Sequence, residues 1–111
     1  MRADVKAGWV AALRSGEYLQ GKGALRATCP EQDKFCCLGV LCDVVGGTWI
    51  GGSPYYKRFQ QTGGGEPAKL LLPLELQTDL GISSADQDKL AKMNDSGVLF
   101  SEIADWIERT L

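Results

Sequence analysis

The chain has 111 residues, which suffices for one folded domain but not for two domains with separate hydrophobic cores. Apolar residues make up 44% and charged residues 23%, and the net charge is −2, which excludes a disordered chain and an overall attraction to nucleic acid or an anionic membrane. The absence of histidine excludes the Ser-His-Asp triad, the Cys-His pair, histidine metal ligands and an imidazole pH switch.

The first predicted element is an amphipathic helix over residues 3–15. Its apolar residues recur on one stripe with a period of 3.6 residues, and they are Val5, Trp9, Ala12 and Leu13. Gly16 is expected to provide the left-handed residue that ends this helix. Residues 17–28 carry two glycines and a short run that fits a strand.

The segment 35–45, FCCLGVLCDVV, is apolar almost all round. Such a helix is normally central to a core, so we predict a buried central helix here, with Asp33 as its N-cap. Gly39 in the middle of the segment predicts that another stretch of backbone approaches closely, because glycine is otherwise unfavourable inside a helix. Gly46 and Gly47 are expected to end the helix.

The second half of the chain begins with one or two short strands around glycine turns, predicted over residues 47–69. A helix is expected over residues 70–82, with Pro73 in its first helical position and Gly81 just past its end.

Two further helices, at 84–93 and 100–110, are predicted on either side of a turn at 93–97. Ser84 and Gln87 match a capping box at the start of the first of them. The chain is therefore predicted to be a single α+β domain over residues 1–111, with four or five short helices around the buried central helix and a small antiparallel sheet.

The N-terminus lacks the apolar stretch of a signal peptide, and no window reaches the length of a membrane span. A cytoplasmic location without membrane contact is therefore expected. In a reducing compartment the four cysteines, Cys29, Cys36, Cys37 and Cys42, are expected to be buried thiols. Two alternatives stay open: a zinc site, for which the usual CxxC spacing is missing, and a reactive thiol in the first turn of the central helix near Lys34.

Two clusters combine basic and aromatic side chains that could pair with a phosphate and stack on a base. The candidate ligand-binding residues are Arg14, Tyr18, Gln20, Lys22, Arg26, Tyr56 and Arg58. Convergence of both clusters in one cavity would favour a small-molecule pocket, whereas separation would leave only surfaces. For catalysis, acidic residues such as Asp43, Asp79, Asp95 and Asp105 are available, but nothing in the sequence places two of them together.

The chain resembles a family of small uncharacterised proteins of tailed bacteriophages and prophages. The resemblance lies in WVAALRSGEYLQGKGAL, FCCLGVLCDVV, LPLELQTDLGI and LAKMNDSGVLFSEIADWIE, in this order. The family usually has Ser or Thr where this chain has Leu99, a residue that would form a capping box with Glu102. Without it, the last helix is expected to start elsewhere or to be capped by backbone and water.

The resemblance implies a phage setting and no established catalytic activity. The expected function is stoichiometric binding of a host component in the host cytoplasm, either sequestration of a small anionic nucleotide that serves as an immune signal or blockage of a defence protein. No enzymatic activity, cofactor or metal is expected. Sequence-specific nucleic-acid binding is not expected either, because the last helix is predominantly acidic. The alternatives are a structural or interaction module, such as a phage accessory protein or homo-oligomer, and a thiol- or carboxylate-dependent enzyme.

Overall fold

In the computed structural model, which describes residues 1–51 and 53–111, the chain forms five α-helices and five β-strands. Gly52, in the predicted glycine turn between two strands, lies outside the described residues. In chain order the elements are α1 Ala3–Arg14, β1 Leu19–Gln20, β2 Arg26–Ala27, β3 Lys34–Phe35, α2 Cys37–Val45, β4 Gly47–Ile50, β5 Tyr56–Gln61, α3 Leu74–Leu80, α4 Ser84–Asp95 and α5 Phe100–Thr110. The α+β class is confirmed.

The five strands form one sheet in the order β1-β3-β2-β5-β4. The sheet is mixed, because β1 runs parallel to β3 whereas the other neighbouring strands are antiparallel. The predicted small antiparallel sheet is present, and it has one parallel pair at this edge. The reason is that β3 inserts between β1 and β2, which run in opposite directions, so it must be parallel to one of them.

Helix α2 forms the centre of the core, as predicted, with Cys37 through Cys42 all buried. It packs against α1 and α4, and α1 packs in turn against α5. The N-cap of α2 is Cys36, whose Sγ accepts a hydrogen bond from the backbone N–H of Gly39 over 3.4 Å. The prediction of Asp33 as N-cap is wrong, because this carboxylate is bound by two cationic side chains and the backbone N–H of Cys29.

Gly39 lies where the backbone of Leu25 crosses α2, as its position in the apolar helix predicted. The carbonyl oxygen of Leu25 occupies the space that a Cβ atom on Gly39 would need. The same oxygen accepts a hydrogen bond from the N–H of Cys36 over 3.3 Å. This crossing fixes the segment before β2 against the start of the central helix.

Most helix ends agree with the sequence prediction to within one or two residues. Gly16 and Gly81 both have positive φ, +77° and +74°, and the latter is the left-handed C-cap of α3. Helix α3 begins at Leu74, so its predicted start at residue 70 is wrong, and Pro73 is its N-cap and not its first helical residue. The reason is that proline disfavours helical conformation in the residue that precedes it. Ser83, and not the predicted Ser84, caps α4 by accepting a hydrogen bond from Asp86. No helix among the described residues is long and apolar enough to cross a membrane.

Candidate functional site

Arg26 of the first predicted cluster lies on the opposite face of the sheet from Tyr56 and Arg58 of the second cluster. Arg26 stands directly across from Phe35 on one side and Lys57 on the other, so these three side chains share a face. Because successive side chains of a strand point to opposite faces, Tyr56 and Arg58 of β5 project from the other face. The two clusters therefore do not converge in one cavity.

Three of the predicted residues do line one cleft, between the end of α1 and the start of α5. Arg14, Tyr18 and Gln20 surround an open space of about 450 Å³ together with Leu99 and Asp105. The remaining predicted residues, Lys22, Arg26, Tyr56 and Arg58, do not line this cleft. We refer to it as the Arg14 cleft.

The guanidinium of Arg14 is engaged by two carboxylates of α5. Its Nη2 donates to Asp105 Oδ1 over 2.6 Å, and its Nη1 donates to Glu108 Oε2 over 3.1 Å. The hydrogen bonds from Glu108 and Asp105 raise the pKa of Arg14 above its ordinary value. Because two carboxylates neutralise the single guanidinium, no net positive charge is left to attract a phosphate. The electrostatics of the cleft therefore disfavour an anionic ligand.

Tyr18 is bound by hydrogen bonding to a carboxylate at the surface of α2. Its hydroxyl donates to Asp43 Oδ2, which belongs to a carboxylate that also accepts a hydrogen bond from Trp49 Nε1 over 3.1 Å. Its ring meets the ring of Phe35 edge to face, with 5.0 Å between centroids. Burial and the hydrogen bond to Asp43 raise the pKa of Tyr18 to about 12, so the phenol stays protonated at neutral pH.

Gln20 connects β1 to the turn before α5. Its Nε2 donates to Asn94 Oδ1 over 3.1 Å and to the carbonyl of Val98 over 2.6 Å, while its Oε1 accepts from the N–H of Phe100 over 3.1 Å. Helix α5 thus starts at Phe100 with a side-chain partner from β1. Of the two expectations for a helix without a capping side chain at Leu99, a start elsewhere is wrong, because α5 begins at Phe100 as its apolar stripe predicts. A backbone contribution is present, since the N–H of Glu102 donates to the carbonyl of Leu99 over 3.0 Å.

Asn94 is the buried polar residue that sequence reasoning placed in a turn. It is fully buried on α4, donates from Nδ2 to the carbonyl of Gly21 over 2.7 Å, and accepts from the N–H of Cys37 over 3.2 Å. The signal that could have revealed it is spacing, because Gln87, Leu90 and Asn94 recur at helical intervals and are the buried residues of α4.

Arg26 belongs to an ion cluster on the same face of the sheet as Phe35. Its Nε donates to Asp33 Oδ2 over 2.8 Å, and Lys57 Nζ donates to the same oxygen over 2.7 Å. The guanidinium lies 4.9 Å from the ring centroid of Phe35 and 5.3 Å from that of Trp49. Lys57, followed by Arg26, lowers the pKa of Asp33 to about 2. Arg26 is therefore occupied by contacts within the domain.

The other predicted residues remain on outer surfaces. The Nζ of Lys69 lies over the ring of Tyr56, 4.2 Å from the ring centroid. Lys22 and Arg58 are exposed, and neither forms an ion pair within residues 1–51 and 53–111. These two cations lie outside the Arg14 cleft and give it no additional charge.

The four cysteines are free thiols, as the buried-thiol interpretation predicts, with Cys29 only partly buried. Burial raises the pKa of Cys36 to about 11 and that of Cys37 and Cys42 well above its ordinary value. A protonated thiol is a poor nucleophile, so these three positions do not favour thiolate chemistry. Across the part of the chain that is described, no group of three or more potential ligand side chains is placed to hold a metal ion.

An apolar groove that sequence reasoning missed lies beside the segment before α3. Its volume is about 280 Å³, and its walls are Gly23, Ala24, Cys36, Leu38, Leu70, Leu71, Ala91 and Asp95. Leu70 and Leu71 are 54% and 41% exposed, whereas the next residue, Leu72, is only 3% exposed. We call this feature the leucine groove. The run of three leucines before Pro73 was the available signal, because proline disfavours helical conformation in the residue that precedes it and so argues against a helix that includes this run.

The leucine groove continues along α4 into a shallower depression. This depression shares Ala91 and Asp95 with the groove and is also lined by Asp88, Lys92 and Ser96. Asp95 Oδ1 receives one long hydrogen bond, 3.4 Å from the N–H of Gly23. A surface with an apolar floor and charged residues at one end is thereby formed by β2, α2 and α4 with their flanking segments.

Comparison with known proteins gives a family match that covers residues 1–48 of the chain. No curated protein and no solved structure matches the chain. The matched region runs from α1 through α2 to the start of β4, so it includes the Arg14 side of the cleft but neither Leu70 nor Leu71. Over residues 1–48 the chain is similar to a family described as a domain of unknown function, DUF8296.

Proposed function

We propose that this domain works as a stoichiometric binding protein and that the leucine groove is its contact surface for a protein of the host cell. The observation that carries the proposal is the exposure of two adjacent leucines, Leu70 and Leu71, at the rim of an apolar groove. Contiguous exposed apolar surface in a small folded domain is typical of a protein interaction site.

The groove is small and apolar. Its volume of about 280 Å³ is close to the lower end of the range of about 300–1,000 Å³ that is usual for small-molecule pockets. A groove of this size suits one or two apolar side chains from a partner. Burying exposed leucine surface against such side chains contributes about 25 cal/mol for each Å² of apolar area removed from water.

The phage resemblance supplies the biological side of the proposal. A phage protein in the host cytoplasm that binds a defence protein in equal amounts could block it without any chemistry. Arg14 and Arg26 both form ion pairs with carboxylates of this domain, so they are not available to bind a nucleotide phosphate. This favours binding of a defence protein over sequestration of a nucleotide.

The test is co-purification of the tagged chain from bacterial cells, compared with the Leu71→Asp and Leu19→Asp variants. Leu19 is 43% exposed, close to the value for Leu71, and lines neither the leucine groove nor the Arg14 cleft, so its variant adds the same charge to a different surface. We expect an equimolar partner with the unaltered chain and with Leu19→Asp, and none with Leu71→Asp. Retention of the partner by Leu71→Asp would exclude the groove, and a discrete dimer in light scattering would favour the homo-oligomer alternative.

A second candidate function is sequestration of a nucleotide messenger in the Arg14 cleft. The observation in its favour is that Arg14, Tyr18 and Gln20 line one space. Thermal-shift measurements with cyclic dinucleotides and ADP-ribose derivatives test it, because a ligand at 100 times its Kd stabilises the folded state by about 2.7 kcal/mol. If none of these compounds raises the Tm at ligand excess, this candidate is excluded.

A further inference from the structure

We infer that the partner segment for the leucine groove is a basic amphipathic helix, with apolar side chains in the groove and a lysine or arginine beside Asp95. This inference rests on the proposed function and adds the chemistry of the partner. It combines the apolar walls around Leu70 and Leu71 with the carboxylates at the end of the groove.

The groove and the adjoining depression together carry two carboxylates and one ammonium. Asp95 lines the groove itself, and the adjoining depression contributes Asp88 and one opposing ammonium, that of Lys92. Within the described residues, neither carboxylate forms an ion pair with a basic side chain. Among residues 1–51 and 53–111, the one group that donates to Asp95 is the N–H of Gly23, over 3.4 Å, so most of its acceptor capacity is available to a cation from outside.

The same charges disfavour other occupants. Phosphates of a nucleic acid or an anionic membrane would be repelled by Asp88 and Asp95. A second copy of the chain, paired groove to groove about a two-fold axis, would place the same acidic surface on both sides of the interface. A helix with cations beside its apolar stripe avoids this charge repulsion, because its cations neutralise the carboxylates while its apolar side chains cover the leucines.

Helical spacing fits the arrangement of apolar and acidic groups. Residues at i, i+3 and i+4 of a helix share one face, so two apolar side chains can enter a groove together while the next residue on the rim carries a charge. A lysine or arginine has an apolar stem that can lie along the groove and a cationic end that can reach a carboxylate at its edge.

The probes are three fluorescently labelled amphipathic helical peptides of equal length whose polar positions are all lysine, all glutamine or all glutamate. Fluorescence anisotropy measures their binding to the unaltered chain and to three variants, Asp95→Asn, Glu102→Gln and Leu71→Asp. Glu102→Gln is the matched control, because it removes one negative charge from an exposed position on α5, outside the groove. Thermal unfolding of each variant verifies that it is folded.

We expect the lysine peptide to bind at least about tenfold more tightly than the glutamate peptide at low salt. Asp95→Asn should weaken the lysine peptide about two- to fivefold, while Glu102→Gln leaves its affinity unchanged. Leu71→Asp should remove binding of all three peptides.

Three results would overturn the inference. Equal affinity for the three peptides, or equal effects of Asp95→Asn and Glu102→Gln, would show that the groove does not select a basic partner. If Leu71→Asp still removes binding in that case, the proposed function stands. Failure of every peptide to bind the unaltered chain would count against both the inference and the proposed function.

Discussion

The side chain of Gln20 caps a helix that begins 80 residues later in the chain, at Phe100. Its Oε1 accepts the hydrogen bond of the Phe100 N–H, one of the backbone donors that the start of a helix leaves without an intrahelical partner. Leu99, in the N-cap position, makes no side-chain hydrogen bond. The start of α5 is thereby fixed to β1 by a contact between distant parts of the chain.

Replacing Gln20 by alanine should destabilise the domain by about 2 kcal/mol. The variant loses the cap on α5 and two further hydrogen bonds, to Asn94 and Val98, and it leaves buried Asn94 without one of its partners. Urea unfolding monitored by tryptophan fluorescence measures the effect. Gln32→Ala, which removes one exposed hydrogen bond to the carbonyl of Glu17, is the control and should change stability by less than about 0.5 kcal/mol. Equal effects of the two variants would contradict the capping role.

Replacing Leu99 by serine should stabilise the domain by about 0.5–1 kcal/mol. A serine in the N-cap position can accept a hydrogen bond from the first turn of α5, and Glu102 three residues later completes a capping box. Leu99→Ala removes the same exposed apolar side chain without adding an acceptor, so it should give no such gain. A serine variant no more stable than the alanine variant in urea unfolding would show that Gln20 already satisfies this helix end.

The two helical glycines Gly39 and Gly8 should respond in opposite directions to alanine. At Gly39 the new Cβ collides with the carbonyl of Leu25, a backbone atom that cannot rotate away, so the expected loss is about 3 kcal/mol. At Gly8 the Cβ would lie 3.4 Å from Val44 Cγ1, an ordinary contact, and the better helix propensity of alanine should add about 0.5–1 kcal/mol. Thermal unfolding of both variants checks the pair, and a neutral Gly39→Ala would refute the close crossing.

Acidification should weaken the domain partly through Asp33. Because its pKa in the folded protein, about 2, is lower than the ordinary value of 3.8, its contribution to stability is complete above about pH 5 and is lost as the pH falls towards 2. Water reaches Lys57, whose side chain is 33% exposed, so we expect a contribution of about 1–2 kcal/mol. Urea unfolding at several pH values should show a smaller loss over this range for Asp33→Asn than for the unaltered chain. Parallel pH profiles would contradict the assignment.

Alkylation of the native protein should be confined to Cys29. Burial keeps Cys36, Cys37 and Cys42 protonated at neutral pH, and a thiol reacts with iodoacetamide only as the accessible thiolate. Intact-mass spectrometry should find at most one adduct on the folded chain, none on Cys29→Ser, and further adducts on both after unfolding in urea. A second adduct on the folded chain would reopen the reactive-thiol alternative.

Local sequence patterns were sufficient for α1, α2, α4 and α5 and for the centre of the core, whereas they placed the start of α3 four residues too early. The apolar stripe of α5 and the continuous apolar run of α2 are properties of neighbouring residues, and periodicity reports which face such a segment buries. The role of Gly39 could also be predicted from local sequence. A glycine inside a buried helix indicates that another part of the chain approaches closely, even when the sequence does not show which part.

The candidate site could not be predicted in the same way. In sequence, Arg14 and Arg26 cannot be distinguished from arginines that bind a ligand. In the structure, two carboxylates of α5 bind Arg14, and Asp33 binds Arg26. Leu70 and Leu71 look like core residues, yet the chain buries Leu72 and leaves them at the rim of a groove.

The sequence by itself determined the α+β class, the positions of the helices and the central place of α2, because these depend on the order of apolar and polar residues over a few turns. Only the tertiary structure decided which strand pairs with which, that Asn94 is buried, and which charges neutralise one another. These outcomes depend on contacts between side chains far apart in the chain, and a hydrogen bond or ion pair leaves no periodic trace in the sequence of either partner.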